Sequence, residues 1–283
     1  MILISADIQK YVPLQTSSFS FDKYAGFEDR AFYKHLPRFL GSTLIANLEG
    51  EEPDATLKTK VVPVLANLAV MEATPFFDVV LTSTGFGVVR NNNIAPASIE
   101  RVQALMNGCQ QAANDFLDIL LAFLEDNKDK DPYTSWNKCS LNTGSLVPDT
   151  NTFNTQTRLN LKHHQFVDLK ANILTLELTL FAQTLSSEFL TELQSGDDVV
   201  VKPLLQKALA FMAYQDWIND IDPEKSGSIW KNKGSSFFAR AMSVLVNNLA
   251  NYPTYQTYGY EAPYDNADEE NEDTGFFVAG ATA

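Results

Sequence analysis

The sequence has few of the side chains on which most enzymes and metal proteins depend. Its 283 residues include two cysteines, Cys109 and Cys139, and three histidines. A disulfide framework needs more cysteines, so we expect two reduced thiols. His163 and His164 are adjacent, and adjacent residues on a helix point about 100° apart, so they cannot readily share a metal ion. We therefore predict that the protein is not an enzyme and has no catalytic residue, no cofactor and no metal site.

Other motifs that could support chemistry are incomplete. The sequence Gly85-Phe86-Gly87 lacks the third glycine and the lysine of a phosphate-binding loop. The acidic stretch 265–273 lacks the glycine and the ligand spacing of a calcium loop. The paired acids Glu28–Asp29 and Asp197–Asp198 are adjacent, so their side chains should diverge. We expect both pairs to be surface charge.

Long hydrophobic runs and targeting signals are also missing. No apolar run approaches the ~20 residues that a membrane-spanning helix needs. The opening MILISADIQKYV has neither a basic n-region nor a small-residue cleavage site, so we expect no signal peptide and no membrane partner. Hydrophobic residues make up 45% of the chain, enough for the core of one large domain or two ordinary ones.

Positive charge is scarce: 35 acidic and 21 basic residues give a net charge of −14. Six acids lie among the last nineteen residues, which contain no Lys or Arg. Proteins that bind nucleic acid present a patch of Lys and Arg to phosphates, and no run of this kind is evident, so specific DNA binding is not expected. An acidic surface suits a channel wall along which DNA slides, or a DNA mimic, and it is also common in ordinary soluble proteins.

Hydrophobic periodicity predicts a mainly α chain. The longest predicted helix, Ile99–Asn127, follows Ser98, which is a good N-cap. Another helix is predicted to begin near Pro63 and to run to about Ala73, because proline is favoured in a first helical turn.

A β-hairpin is predicted between these two helices, with strands Asp78–Thr82 and Phe86–Arg90. An isolated two-stranded ribbon is marginally stable unless it packs on something. The hairpin therefore either forms an interface with a partner or folds back on its own helices. The predicted interface residues on it are Val79, Leu81, Phe86, Val88 and Arg90.

The order of elements repeats along the chain. The segment Gly41–Gly50 resembles Ser186–Gly196 in length, cap and closing glycine, and Pro63 has a counterpart in Pro203. We interpret this as two related helical units in tandem, with chance order as the alternative. The first unit, with the long helix Ile99–Asn127 as its spine and the hairpin, is predicted at 1–138. A linker follows at 139–157, a second unit at 158–260 and an acidic tail at 261–283.

The tail ends in an apolar tripeptide behind a strongly charged tether. The tether cannot bury enough apolar surface to fold alone. Phe276, Phe277 and Val278 are therefore predicted to dock on a neighbouring surface, or else they belong to a disordered tail.

Several stretches of the first half resemble a known family. They are TGFGVV at Thr84–Val89 followed by Asn91–Asn93, LPRFLG at Leu36–Gly41, LAFLEDN at Leu121–Asn127 and YVP at Tyr11–Pro13. Together they resemble the head–tail connector (neck adaptor or head completion) proteins of tailed phages and prophages of gut bacteria. The likeness covers roughly Met1–Trp136 and is faint afterwards, and none of these motifs is catalytic.

The resemblance implies a structural role. Such a protein would be made in the host bacterial cytoplasm and would form a ring of about twelve copies in the virion neck. The ring would join the portal protein to the tail or to a second neck protein, and double-stranded DNA would pass its channel without specific binding during packaging and ejection. The alternative function is an acidic cytoplasmic binding protein or DNA-mimic regulator.

Overall fold

The computed structural model describes residues 2–3, 5–12, 25–76, 79–82, 85–88, 98–137, 144–222 and 228–257. These residues are mainly helical, as the sequence predicts. The chain divides into two compact units, Met1–Cys139 and Ser140–Ala283. Each unit has its own hydrophobic core and is described separately.

A central helix organises the first unit. Every residue of this helix from Val61 to Val70 is buried, because three other helices of the unit pack against it. A helix that is apolar on all sides belongs in the middle of a core. The central helix is the fourth of the elements of this unit: α1 (Ser5–Tyr11), α2 (Ala25–His35), α3 (Pro37–Glu49), α4 (Ala55–Ala73), β1 (Val79–Thr82), β2 (Gly85–Val88), α5 (Ile99–Asn127) and α6 (Thr134–Asn137).

Helix α4 begins eight residues before Pro63, so the predicted start of this helix is wrong. Its N-cap is Asp54, whose Oδ1 accepts the N–H of Leu57 at 2.6 Å. Pro63 lies inside the helix and cannot donate a backbone hydrogen bond. The polar residues of the first turns conceal this start in the sequence, since apolar spacing begins only with the buried part of the helix.

Helix α5 has the predicted bounds and the predicted N-cap. Ser98 Oγ accepts the N–H of Arg101 at 3.4 Å. The buried side chains of α5 recur every three or four residues and face α4. They are Cys109, Ala113, Leu117, Leu120, Leu121 and Leu124.

The second unit is built around a central helix in the same way. The fifth of its α-helices is flanked by the first, the second and the sixth. A π turn, Glu177–Phe181, follows the second helix. The helices are α7 (Thr150–Thr157), α8 (His163–Leu176), α9 (Ala182–Leu185), α10 (Ser187–Ser195), α11 (Val201–Ile221), α12 (Ile229–Asn247) and α13 (Pro253–Thr257).

The predicted linker at 139–157 is wrong from Leu146 onward. Leu146, Val147 and Phe153 are fully buried in the second core, and Phe153 lies on α7. The Ser, Thr and Asn residues that indicated a linker form a capped helix instead, in which Asp149 Oδ1 accepts the N–H of Thr152 at 2.7 Å. The second unit therefore begins before its predicted start at 158.

Two further boundaries in this unit differ from the prediction. Hydrophobic periodicity predicts a helix over about Leu159–Gln183, but this helix begins at His163, because Arg158 and Asn160 adopt positive φ angles of 62° and 51°. It also predicts a last long helix over about Ser235–Ala250, which begins at Ile229 instead. The polar sequence of its first turns again conceals the start.

Both units contain a sharp turn of the backbone at a matching place. Gly41 has φ 72° and ψ 166° inside α3, and Ser186, between α9 and α10, has φ 72° and ψ 153°. This region is almost restricted to glycine, so serine is strained there. The hydroxyl of Ser186 offsets part of the strain by accepting the N–H of Phe189 at 3.2 Å.

Because the two turns share a conformation, substitutions at Gly41 and Ser186 should change the free energy of unfolding in opposite directions. Gly41→Ala should lower the free energy of unfolding by about 1–3 kcal/mol, because alanine is strained at this φ and ψ. Ser186→Gly should raise it by about 1 kcal/mol, since glycine removes the strain and is nearly as good an N-cap. Urea unfolding measures both.

Gly108→Ala is the matched control. A Cβ added there meets nothing within 4 Å, so helix propensity alone should stabilise α5, by about 1 kcal/mol. A Gly41→Ala variant as stable as the parent would show that the turn at Gly41 does not have this conformation.

Candidate functional site

The described part of the predicted interface lies on the two-stranded ribbon. Strands β1 and β2 are antiparallel, with Val79 opposite Val88 and Leu81 opposite Phe86. Opposite positions, and positions two apart along a strand, share one face. These four positions therefore lie on one face of the ribbon. The remaining predicted interface residues lie outside the described residues: Arg90, Phe276, Phe277 and Val278.

The base of the ribbon presents apolar surface to solvent. Phe76 ends the 3-10 turn that contacts β1, and its side chain is 50% exposed. The Phe76 ring lies 5.2 Å from that of Phe27, which fixes its position. Exposed large apolar side chains near an edge strand are typical of a contact surface.

In the first unit, the segment after α5 closes on the start of α4. The hydroxyl of Tyr133 donates to Asp54 Oδ1 at 2.9 Å, alongside the capping N–H of Leu57. Three residues later, the Trp136 indole N–H donates to the carbonyl of Phe39 on α3 at 2.9 Å. We call this arrangement the aspartate–tyrosine clasp.

The second unit has a clasp of the same design. Asp198 Oδ1 accepts the N–H of Val200, Val201 and Lys202 at 2.9, 2.5 and 3.0 Å. Its Oδ2 accepts the hydroxyl of Tyr252 at 3.1 Å. The aromatic residue three positions later then packs on the helix after the backbone turn: the ring of Tyr255 lies 5.3 Å from that of Phe189 on α10.

The two clasps also share their electrostatics. Burial, followed by the hydrogen bond to Asp54, raises the pKa of Tyr133 to about 12. Burial and the bond to Asp198 raise the pKa of Tyr252 to about 12 in the same way. Burial alone would raise the pKa of Asp198, but the backbone N–H bonds and Tyr252 outweigh it and lower that pKa.

A buried glutamate anchors the opening segment of each unit. Glu28 is 2% exposed, and its Oε1 accepts the N–H of Ile2 and Leu3 at 2.5 and 3.0 Å. In the second unit, Glu177 Oε1 accepts the N–H of Leu146 at 2.7 Å. Glu28 and Asp198 both belong to acidic pairs expected to be surface charge. The expectation is wrong for Glu28, which is buried, whereas Asp198 is half-buried.

A second buried carboxylate ties α2 to α4. Glu72 is within 2.9 Å of Arg30 Nε, 2.6 Å of Lys34 Nζ and 2.9 Å of His35 Nε2. Burial would raise the pKa of Glu72, but hydrogen bonds from Lys34 and His35 and the charge of Arg30 lower it. His35, the histidine outside the His163–His164 pair, thus has a structural role in this cluster.

Within the described ranges, no cluster of metal-binding side chains is present. No group of three or more His, Cys, Asp and Glu side chains there is placed to hold a metal ion. Cys109 is a buried free thiol, and burial raises its pKa, which disfavours the reactive thiolate. None of the helices in these ranges is both long and apolar enough to cross a membrane.

Comparisons with known proteins give one match. The profile of a family of unknown function (DUF6712) matches residues 21–145, which include the ribbon and α5. No curated protein and no solved structure matches the chain.

Sequence reasoning missed both clasps, although a weak signal was present. Each last long helix is followed by a tyrosine with a second aromatic residue three positions later, in Tyr133–Trp136 and Tyr252–Tyr255. Nothing local pairs these residues with an aspartate 79 or 54 positions earlier in the chain. Only the packed units bring them together.

The clasps predict two stability effects confined to their own units. Tyr133→Phe should lower the stability of α4, and Tyr252→Phe that of α11, by about 1.5 kcal/mol each, because a hydrogen bond to a charged acceptor is lost. Hydrogen–deuterium exchange resolved by peptide measures this. Tyr214→Phe is the control, since Tyr214 contacts three aromatic rings and its hydroxyl makes no hydrogen bond to the described residues. Equal effects of all three substitutions would contradict the clasp.

Alkaline pH should weaken both clasps. A phenol whose folded pKa is raised stabilises the fold fully below its unfolded pKa of about 10 and loses that contribution as the pH rises through about 12. Ultraviolet titration should show one fewer late-ionising tyrosine in each of the two clasp variants than in the parent. Unchanged titration curves would show that these phenols are not protected.

Proposed function

We propose that this protein is a structural head-to-tail connector, or neck adaptor, of a tailed bacteriophage. In this proposal, copies of the chain form a ring between portal and tail, around the channel through which DNA passes. The contribution of the chain is geometric, so no reactive residue is required.

The observation that supports this proposal best is the ribbon between α4 and α5. Its register gives one face to Val79, Leu81, Phe86 and Val88, and the exposed side chain of Phe76 lies at its base. Two strands alone bury too little surface to be stable, so a ribbon of this kind requires a packing partner. Copies of one chain that repeat a single heterologous contact close into a ring.

The family of unknown function covers the same part of the chain as most of the connector-like motifs. The profile begins at residue 21 and ends at residue 145, and the connector-like motifs fall at 11–127. The ribbon, helix α5 and the motifs that resemble neck adaptors thus lie in one continuous stretch of the first unit.

The charge of the chain is consistent with a channel wall. A net charge of −14 repels phosphate, and a wall along which DNA must slide functions better if it does not bind the backbone. The same charge is compatible with a DNA mimic, so charge alone does not separate the two functions.

We further propose that the two units arose by tandem duplication. In each, a central helix is flanked by the first two helices and the last long one. Each has the positive-φ turn, the buried glutamate on the opening segment and the aspartate–tyrosine clasp. A clasp linking distant segments through the same residue types is unlikely to arise twice by chance. A duplicated chain could fill two positions of a ring.

A pair of substitutions on β1 tests the ribbon. Leu81→Asp changes the predicted interface face, and Val80→Asp is the matched control on the opposite face. Burial of one leucine side chain stabilises a subunit contact by about 2 kcal/mol, so Leu81→Asp should weaken the association of subunits about thirty-fold. Light scattering and electron microscopy of the purified protein measure ring formation. Rings that tolerate Leu81→Asp as well as Val80→Asp would contradict the proposal.

Quantitative mass spectrometry of purified phage particles tests the location. A ratio to portal near one indicates one chain per portal subunit, and a ratio near one half indicates a duplicated chain in two positions. Absence from particles, with abundance in the infected-cell lysate, would overturn the connector and favour the acidic cytoplasmic regulator.

A further inference from the structure

Helices α11 and α12 together present a cationic surface in an otherwise acidic protein. Phe211 on α11 stacks between Trp230 and Phe237 of α12, with ring centroids 5.6 and 6.0 Å away. Three cations lie over these rings. Lys233 Nζ is 4.2 Å from the centroid of Phe211, and Lys207 Nζ and Arg240 Cζ are 5.5 and 5.9 Å from that of Phe237. We call these six residues the aromatic–cationic face.

The face follows from helical spacing. Trp230, Lys233, Phe237 and Arg240 recur on α12 at intervals of three or four residues, which places them on one stripe. Lys231 lies about 100° away from Trp230 around the helix, and its charge acts on Asp216 instead.

No ion pair within 4.0 Å joins Lys207, Lys233 or Arg240 to a carboxylate of the described residues. Aromatic rings hold Lys207, Lys233 and Arg240 in place without neutralising them. Lys233 and Arg240 are exposed.

The local sequence adds to this charge. Residues 225–260 contain four basic residues and no Asp or Glu. A stretch of this kind in a chain of net charge −14 indicates a surface for a negatively charged ligand. The next acidic residues of the chain are those of its own C-terminal segment.

We propose that the C-terminal segment 265–278 of this protein docks on the aromatic–cationic face. The segment contains six acids and no Lys or Arg, and it ends in Phe276, Phe277 and Val278. Charge complementarity and the apolar end both match what α11 and α12 present. The inference concerns the isolated chain and holds whether or not the protein forms a neck ring.

The length of the chain permits this docking. The last described helix ends at Thr257, and Tyr252 ties that region to the start of α11. The eight residues from Thr257 to Asp265 span up to about 28 Å when extended. Helix α12, with 19 residues, is about 28 Å long, so the acids can reach along it.

The far end of the helix pair supplies the apolar surface. Ile221 ends α11 and Ile229 begins α12, and consecutive packed helices with a short connection place these two ends together. Their side chains are 63% and 74% exposed. A segment that runs along α12 from its C-terminal end meets the cations first and these isoleucines last, in the same order as its own acidic and apolar parts.

A nucleic acid fits this face less well. Single-strand binders offer free aromatic faces on which bases stack. Here Phe211 is 2% exposed and stacks with two neighbouring rings, and Lys233 already lies over it.

Zero-length carbodiimide crosslinking of the full chain tests the proposal. We expect Lys207 and Lys233 to be joined to acids among 265–273, as located by mass spectrometry at low salt. Arg240→Glu keeps both reactive lysines and should reduce the yield of these crosslinks about ten-fold, because one attraction becomes a repulsion. Lys231→Glu, with the same helix and nearly the same charge change, is the matched control and should leave the yield within about two-fold.

Two results would overturn the proposal. One is a set of tail crosslinks directed to lysines of the first unit, and the other is an equal yield in the Arg240→Glu and parent proteins when circular dichroism shows both to be folded. Mixing isotopically labelled and unlabelled chains identifies whether the docked segment comes from the same copy or from another, and either origin supports the docking. Assembly into rings is a separate measurement, so failure of one proposal does not imply failure of the other.

Discussion

Packing of other helices around a central helix is the constraint on which both units depend. The first N–H groups of that helix have no partner within it, so another group must accept them. Asp54 and Asp198 provide that acceptor at the start of α4 and α11. Each carboxylate would itself be costly to bury without further donors, and a tyrosine hydroxyl supplies one in each case. The segment after the last long helix is thereby fixed to the start of the central one.

The polar interior follows the same principle elsewhere. Lys170 is 1% exposed, and its ammonium donates to the carbonyls of Val147 and Pro148 at 3.3 and 2.9 Å. Glu28 and Glu177 accept backbone N–H groups of the opening segments. These ionisable side chains bind main-chain atoms that have no partner in a helix or strand, so they hold irregular segments against the cores.

The sequence was informative where one helix face is buried and poor where a helix is buried on all sides. Helix α5 has an apolar stripe and a serine cap, and both of its ends were predicted. Helix α4 has polar first turns and an internal proline, and the predicted start was eight residues late. The capped helix α7 resembled a linker, because its Ser, Thr and Asn residues favour loops and helix ends alike. Composition cannot separate these two uses.

The candidate surfaces differ in the same way. The alternation of the ribbon is local, so its face could be predicted from Val79 to Val88. The clasps and the aromatic–cationic face join residues from separate helices, and no pattern along the chain marks them as neighbours. The absence of Asp and Glu from 225–260 was a usable signal for the basic face, since it does not depend on tertiary structure.

The clasp of the first unit has a consequence for the order of events in synthesis. It joins residues 79 positions apart, whereas that of the second unit joins residues 54 apart. Closing the longer loop is entropically more costly, and it cannot happen until Tyr133 has left the ribosome. Until then, Asp54 caps α4 without its phenol, and the start of the central helix stays open to water. The clasp of the first unit therefore closes only after the whole of α5 has been made.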